Sequence, residues 1–494
     1  MRKKSVILTL MLAFILAMPA AVIAKSMEDV PQRTEDGTVY VMLRMIAYVH
    51  SFDAEWDGAT RTVTLIADDN RISFNVEEVG GFIEDGTSWV QYEFAVGLLT
   101  MVGTEELDET AQLIAALISS IEAGRLFVYE NSQVFDITST DGYVFGARLA
   151  MPPGEEAVRA IVIDTGTSGP NTYSMCRYFP GIGLVGFQDF WANEFINSGI
   201  AFFSANTRGV TPSGEVPDTM NIDEEGYLTY LPSNVVEDVY HMIRTAREHP
   251  RLADAQIFLY GHSEGAIIAT LFEATHPRLA DALFLAGMPV MNMYDIIHWQ
   301  ASGRAAMMHF GTMFEMDEYS RITREAFYAG PWDTEMGASF DELDLDGDGF
   351  FTAADLLAVW QLLGFPPHMW NAQVLIDAIE RGDDEWLWDN YPVLLTTGWF
   401  REHFALRSNM ELIPELDLPI YIFHGAMDAH VYVGYVRELE GKLAGLGRTN
   451  VTINIFEGHD HDLNSGLGLL MFLGLIPEGM QAVIDAVLAH AEVH

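Results

Sequence analysis

The sequence predicts an α/β protein: a mostly parallel sheet covered by helices, carrying an inserted helical cap and preceded by a small α+β accessory domain. Three observations predict it. From Leu126 onward, strand-like apolar runs alternate with helical patterns, the rhythm of a parallel sheet with helical crossovers. Before that point, Val39 to Leu99 carries only short β-rich runs separated by turn signals. A strand, a glycine-flanked turn and a helix follow one another without a gap around residues 257–270.

The chain begins with Arg2, Lys3 and Lys4, an apolar stretch from Val6, then Pro19 and small residues up to Ala24, the pattern of a secretory signal peptide spanning residues 1–24. An uncleaved membrane anchor is the rival reading, disfavoured by Pro19 and the alanines; after cleavage no membrane insertion is expected. The mature protein is expected to be secreted. Cys176 is the one cysteine, so neither an intrachain disulfide nor a lipid-bearing cysteine near the cleavage point is available. Lys and Arg total 26 against 71 Asp and Glu, a net charge of -45 that repels nucleic acid and anionic membrane surfaces and excludes both as partners. Lys25 and Lys442 are the only lysines after residue 24; this reads as adaptation to a salty exterior or as compositional bias.

The runs Arg61 to Ile66 and Ile72 to Val76, separated by Asp68-Asp69-Asn70, mark a small domain over residues 29–100. The string Val39 to Ile66 resembles the domain of Gram-positive surface proteins named after the N-terminal stalk of copper amine oxidases. The resemblance implies an accessory module and leaves association with the cell wall open; it supplies no copper site. Residues 101–125, with helix formers from Glu105 to Ala123 and a stop at Gly124, are expected to link it to the larger domain at 126–494.

In that larger domain Val134 to Ile137 and Val144 to Leu149, joined through Thr140-Asp141-Gly142, are expected to form an antiparallel hairpin at the sheet edge. Ala160 to Ile163, Ile200 to Ser204, Gln256 to Tyr260, Ala282 to Ala286, Ile420 to Phe423 and Val451 to Phe456 supply the further strands. Residues of about 290–415 form the cap insertion and hold seven of the ten tryptophans, which are expected mostly to build its own core, some to line a pocket.

Gly261-His262-Ser263-Glu264-Gly265 lies between the strand ending at Tyr260 and the helical run from Ala266, the setting of a nucleophile elbow. A serine hydroxyl needs an imidazole to take its proton, and the imidazole needs a carboxylate to fix its tautomer. Asp428 ends the strand and turn Pro419 to Met427 and is the expected acid. The loop after Val451 to Phe456 offers His459 and His461, of which His461 is preferred; a metal reading of His459, Asp460, His461 and Asp462 is the weaker alternative. The oxyanion donors are expected from the backbone N–H of Glu264 and from Thr167 or Ser168 in the loop Asp164 to Asn171. No cofactor is expected for catalysis.

Together, Thr165-Gly166-Thr167-Ser168-Gly169-Pro170-Asn171, Asn206-Thr207-Arg208-Gly209-Val210, Gly261 to Gly265, His424 to Asp428 and Gly458 to Asp462 resemble bacterial α/β hydrolases of the esterase and dienelactone-hydrolase-like group over Leu126 to His494. Trp399-Phe400-Arg401 resembles a cap motif of that group. Asp164-Thr165 stands where relatives commonly have His-Gly, and Asn206-Thr207-Arg208-Gly209 where they have Asp-x-Arg-Gly. The resemblance implies cleavage of carboxylic esters without naming the ester; a small-molecule or saccharide ester, cleaved through an acyl-enzyme on Ser263, is the expectation. A non-catalytic binding protein on the same fold, an acyltransferase and a peptidase are the alternatives.

Within the insertion, residues 344–355 read as a dockerin-type, EF-hand-like calcium loop. Asp344, Asp346, Asp348, Thr352 and Asp355 occupy positions one, three, five, nine and twelve, Gly349 the sixth, and Phe350 offers its carbonyl at the seventh. A structural Ca2+ is expected there.

Overall fold

The structure is a computed structural model. It describes the strands between residues 33 and 91 and residues 132–493, apart from 180–182, 214–218, 311–315, 317–320, 330–338, 364–370 and 464–475. The expected signal peptide and the linker at 101–125 lie outside the described residues. In the accessory region, Arg33–Glu35, Thr38–Met42, Thr87–Gln91 and Phe82–Glu84 form one antiparallel sheet in that order, and Asp53–Asp57, Thr62–Ala67 and Asn70–Asn75 another.

The principal sheet has eight strands: β1 Ser132–Thr138, β2 Val144–Ala150, β3 Ala160–Asp164, β4 Ala201–Ala205, β5 Gln256–His262, β6 Ala282–Ala286, β7 Ile420–Gly425 and β8 Val451–Phe456. Their spatial order is β1-β2-β4-β3-β5-β6-β7-β8. β2 runs antiparallel to β1 and β4, while β3 to β8 are mutually parallel. The expected hairpin is therefore β1 and β2, and each remaining expected strand has its counterpart.

Six helices are needed below: α1 Phe187–Asn197, α2 Pro232–Glu248, α3 Glu264–Thr275, α4 Thr397–Ala405, α5 Val433–Gly445 and α6 Glu478–Val493. The parallel strands read as continuous apolar runs because both faces are covered. On one face Val236, Val239 and Met242 of α2, Ile268 and Phe272 of α3, and Val436 and Leu439 of α5 pack on Ile161, Ile163, Ile257 and Leu283. On the other, Phe190 and Phe195 of α1 and Val483 and Val487 of α6 pack on Val162, Phe202, Phe258 and Phe284. Each such fully buried side chain contributes about 1.5–3 kcal/mol.

Arg208, just beyond β4, ties the first hairpin to α2. Its buried guanidinium donates to both carboxylate oxygens of Asp238 at 2.7 Å, to Asp141 and to Ser139, and lies 4.9 Å from the ring centre of Tyr143. Burial alone would favour loss of its proton, but the two aspartates outweigh that and raise its pKa.

The connection from β6 to β7 holds helices from Met293–Gln300 onward and ends in α4 and the short Asn409–Leu412. Its apolar residues form two cores. Leu375, Ile376, Ile379, Trp399 and Phe400 pack with Tyr227 and Tyr230 of the main body, and Met307, Phe327, Phe340 and Trp360 pack with Phe351 of the acidic loop at 344–355. Trp299, Trp360 and Trp399 are buried and Trp386 and Trp388 half-buried; Trp332 and Trp370 lie outside the described residues. Among the described residues no helix is long and apolar enough to cross a membrane.

Candidate active site

The turn from β5 into α3 places Ser263 at φ 55°, a left-handed conformation that a serine adopts only under constraint. The constraint is visible in its neighbours. A side chain at Gly261 would overlap the backbone of Gly265, and one at Gly265 would overlap the carbonyl of Gly166. Glycine is thus required at both positions for β5, α3 and the loop after β3 to close on one another. Thr165 secures that closure by donating its hydroxyl to the Gly265 carbonyl at 2.7 Å. Glu264 opens α3, so its N–H is among the amides that have no partner within the helix.

Asp428 follows β7 and is fully buried. Its Oδ1 accepts from the backbone N–H of His430 and of Val431, both at 2.8 Å, and its Oδ2 accepts from Nδ1 of His461 at 2.8 Å. Nε2 of His424 approaches Oδ2 at 3.4 Å and donates to the Val431 carbonyl at 3.1 Å. Burial works against the carboxylate, yet His461 and His424 hold its pKa below the ordinary range. Burial likewise works against a charged His461, but Asp428, Asp462 and Asp460 prevail and lift it to about 9. With Nδ1–H committed to Asp428, Nε2 is the nitrogen left to take a proton.

Ser263 and His461 flank the end of β6. The Ser263 N–H donates to the Ala286 carbonyl at 2.9 Å. The next residue, Gly287, lies so close to His461 that a Cβ there would stand 3.1 Å from both Nδ1 and Cε1 of the ring. Ser263 and His461 thus both lie beside one strand end, and Asp428 is in direct contact with His461. His459 does not share this place: its Nδ1 faces the Glu457 carbonyl at 3.2 Å, and its Nε2 accepts from the Gly479 N–H at 3.3 Å. The four-residue metal reading of this loop is divided accordingly. His461 and Asp462 gather with His262, while His459 and Asp460 fall outside that group.

His262 packs beside the pair, its ring centre 4.9 Å from that of His461. Its Nε2 lies 3.2 Å from both the His461 carbonyl and Asp462 Oδ1, two acceptors that place the proton on this nitrogen. Nδ1 lies 3.5 Å from the Thr167 hydroxyl. Ser168 contributes its carbonyl to Asn171 Nδ2 at 3.4 Å, and Asn171 with Thr207 stitches this loop to the one after β4. Asp164 at its base is buried, which pushes its carboxyl up to about 7 against the pull of the Gly166 N–H and His262.

The sequence reading gave Glu264 only a backbone role. Its side chain is as prominent: at 1% exposure, Oε1 accepts from Trp399 Nε1 at 2.6 Å and from His403 Nε2 at 2.9 Å, and Oε2 accepts from the Tyr230 hydroxyl at 2.5 Å. The local signs were a carboxylate heading the largely apolar helix α3 and Trp399 and His403 one turn apart on α4, and neither by itself names the other.

The strand order with its β3/β4 exchange, the strained serine between β5 and α3, the acid after β7 and the histidine after β8 decide the architecture. The fold is that of the α/β-hydrolases. The family described as serine aminopeptidase, S33, matches residues 185–315, a stretch that includes Ser263 and stops before Asp428 and His461. No curated protein matches the sequence. Similar solved structures include Est1E from Butyrivibrio proteoclasticus, at 15% identity and TM-score 0.37 over 73% of this chain and 99% of that one. A thermostable carboxyl esterase from Bacillus coagulans aligns at 16% identity and TM-score 0.41 over 74% and 99%. An acylaminoacyl peptidase from Pyrococcus horikoshii aligns at 12% and 0.39 over 93% and 48%. The chain is thus distantly similar to proteins named as a carboxyl esterase and as an acylaminoacyl peptidase.

In the acidic loop of the insertion, carboxylate oxygens of Asp344, Asp346 and Asp355 lie within 4.8 Å of one another. Asp348 lies outside this set and accepts from the Phe350 N–H at 2.9 Å, and the Thr352 hydroxyl donates to Asp355 at 2.7 Å. Phe350–Phe351 pairs with Ile322–Thr323, anchoring the loop to the rest of the insertion.

Proposed function

We propose that this chain is a secreted serine hydrolase that cleaves carboxylic esters through an acyl-enzyme, with Ser263 as nucleophile, His461 as base and Asp428 as the acid that orients it. The observation that carries the reading is the buried Asp428–His461 hydrogen bond set beside a serine in a left-handed turn. His461 Nε2 takes the serine proton as the hydroxyl attacks the ester carbonyl, then gives it to the departing alcohol; water repeats the steps in reverse order to release the acid. The Glu264 N–H, with that of Thr167 or Ser168, receives the oxyanion. A fluorophosphonate, which forms a stable bond with an activated serine, should label the full-length protein, and peptide mapping should place the adduct on Ser263. A label elsewhere, or none, defeats the proposal.

Peptide cleavage is the second reading, favoured by the family matched over residues 185–315. Parallel rates on an aryl ester and on aminoacyl anilides separate the two. The resemblance of the N-terminal strings points to an accessory module of a surface protein.

We further propose that residues 344–355 hold a structural Ca2+. Three carboxylates so close repel one another, and a hard divalent ion with oxygen ligands relieves that repulsion. Asp344, Asp346 and Asp355 would bind it, with Asp348, Thr352 and the Phe350 carbonyl completing the shell. Saturating calcium should raise the unfolding temperature by about 5 °C relative to chelator. Asp344→Asn should erase that difference; equal melting in both conditions for the parent protein rejects the site.

A further inference from the structure

The carboxylate of Glu264 is a buried acidic group at the elbow that the proposed reaction does not use, and side chains from two other segments converge on it. Ser263 precedes it. Trp399 and His403 reach it from α4 of the insertion, and Tyr230 from the stretch before α2. The Tyr230 hydroxyl also lies 3.3 Å from the Thr167 carbonyl in the loop after β3. All four polar side chains are buried.

A carboxylate in such a place is costly unless donors surround it, so the site exists only while the insertion and the body are both seated. Were its donors withdrawn, the carboxylate would sit at the N-terminus of α3 and compete for the amides that the oxyanion needs.

Resting on the proposed hydrolytic reading, we propose that Glu264 is a positioning residue. Its side chain, held by Tyr230, Trp399 and His403, fixes its own backbone N–H and, through Tyr230, the Thr167 loop, so that docking of the insertion sets the oxyanion-binding donors in place. Tyr230→Phe removes one hydroxyl from this assembly and Trp399→Phe one N–H. For each, kcat on a short aryl ester is expected to fall about tenfold while KM stays within about twofold, because the interaction lost is one made in the transition state.

The readout that a merely structural rivet would not move is inhibition by an aryl trifluoromethyl ketone, whose adduct with the serine carries an oxyanion. Its Ki should rise in step with the fall in kcat, while a fluorophosphonate still labels Ser263 in both variants. Unchanged kcat and Ki, or a rise in KM alone, overturns the proposal. Should Trp399→Phe not fold, Tyr230→Phe, which removes a single oxygen, decides by itself. If the parent protein neither hydrolyses the ester nor takes the label, it is the hydrolase reading that fails.

Discussion

Ser263→Ala should lower kcat by about 10⁶-fold and Asp428→Asn by about 10⁴-fold, with KM nearly unchanged in both. The first removes the atom that forms the acyl-enzyme. The second is the more informative, because the structure specifies how the loss arises. Asp428 Oδ1 accepts two backbone N–H groups, from His430 and Val431, and an asparagine must keep its carbonyl oxygen there. Its amide nitrogen then faces His461 Nδ1, where the aspartate presented Oδ2. Two donors cannot share that contact, so the imidazole moves its proton to Nε2, the nitrogen that should receive the proton from serine. The fold survives and the base is lost. Burst kinetics and kcat on an aryl ester check both variants; an Asp428→Asn enzyme within tenfold of the parent would remove Asp428 from the mechanism.

What the sequence made legible was local. The elbow is readable because strand, glycine turn and helix are contiguous in residues 256–275, and Asp428 because it closes a strand and turn only ten residues long. The loop pattern alone favoured His461 over His459, and tertiary contact is what separates them: His461 Nδ1 meets the Asp428 carboxylate, whereas His459 Nδ1 faces the Glu457 backbone carbonyl. The Glu264 assembly was out of reach because its partners lie 34, 135 and 139 positions away, and a polar residue opening a helix reads first as a surface residue. Residues departing from the resembled pattern prove well used. Thr165 hydrogen-bonds the elbow and Asn206 Oδ1 accepts from the Tyr173 N–H at 2.7 Å, while Arg208, which the pattern shares, keeps two aspartates.

The pH dependence should also be large. A base works only when neutral, and His461, held by Asp428, Asp462 and Asp460, loses its proton near 9. At pH 7 roughly 1% of the enzyme then carries the neutral imidazole, and kcat/KM should climb about tenfold per pH unit from 6 before levelling near 9. Stability runs the other way. A histidine whose pKa is raised on folding stabilises the native state fully below its ordinary value of 6.5, and that contribution is lost as the pH rises through about 9. The alkaline enzyme is therefore the more active and the less stable one. Asp462→Asn removes one of the carboxylates that hold the proton and should move the limb to lower pH. Burial pushes the Asp164 carboxyl up to about 7, into the same range, and Asp164→Asn should leave the limb near 9 where it was. A profile flat between pH 7 and 9, or a limb that moves with Asp164 and not with Asp462, assigns the essential proton to a group other than His461.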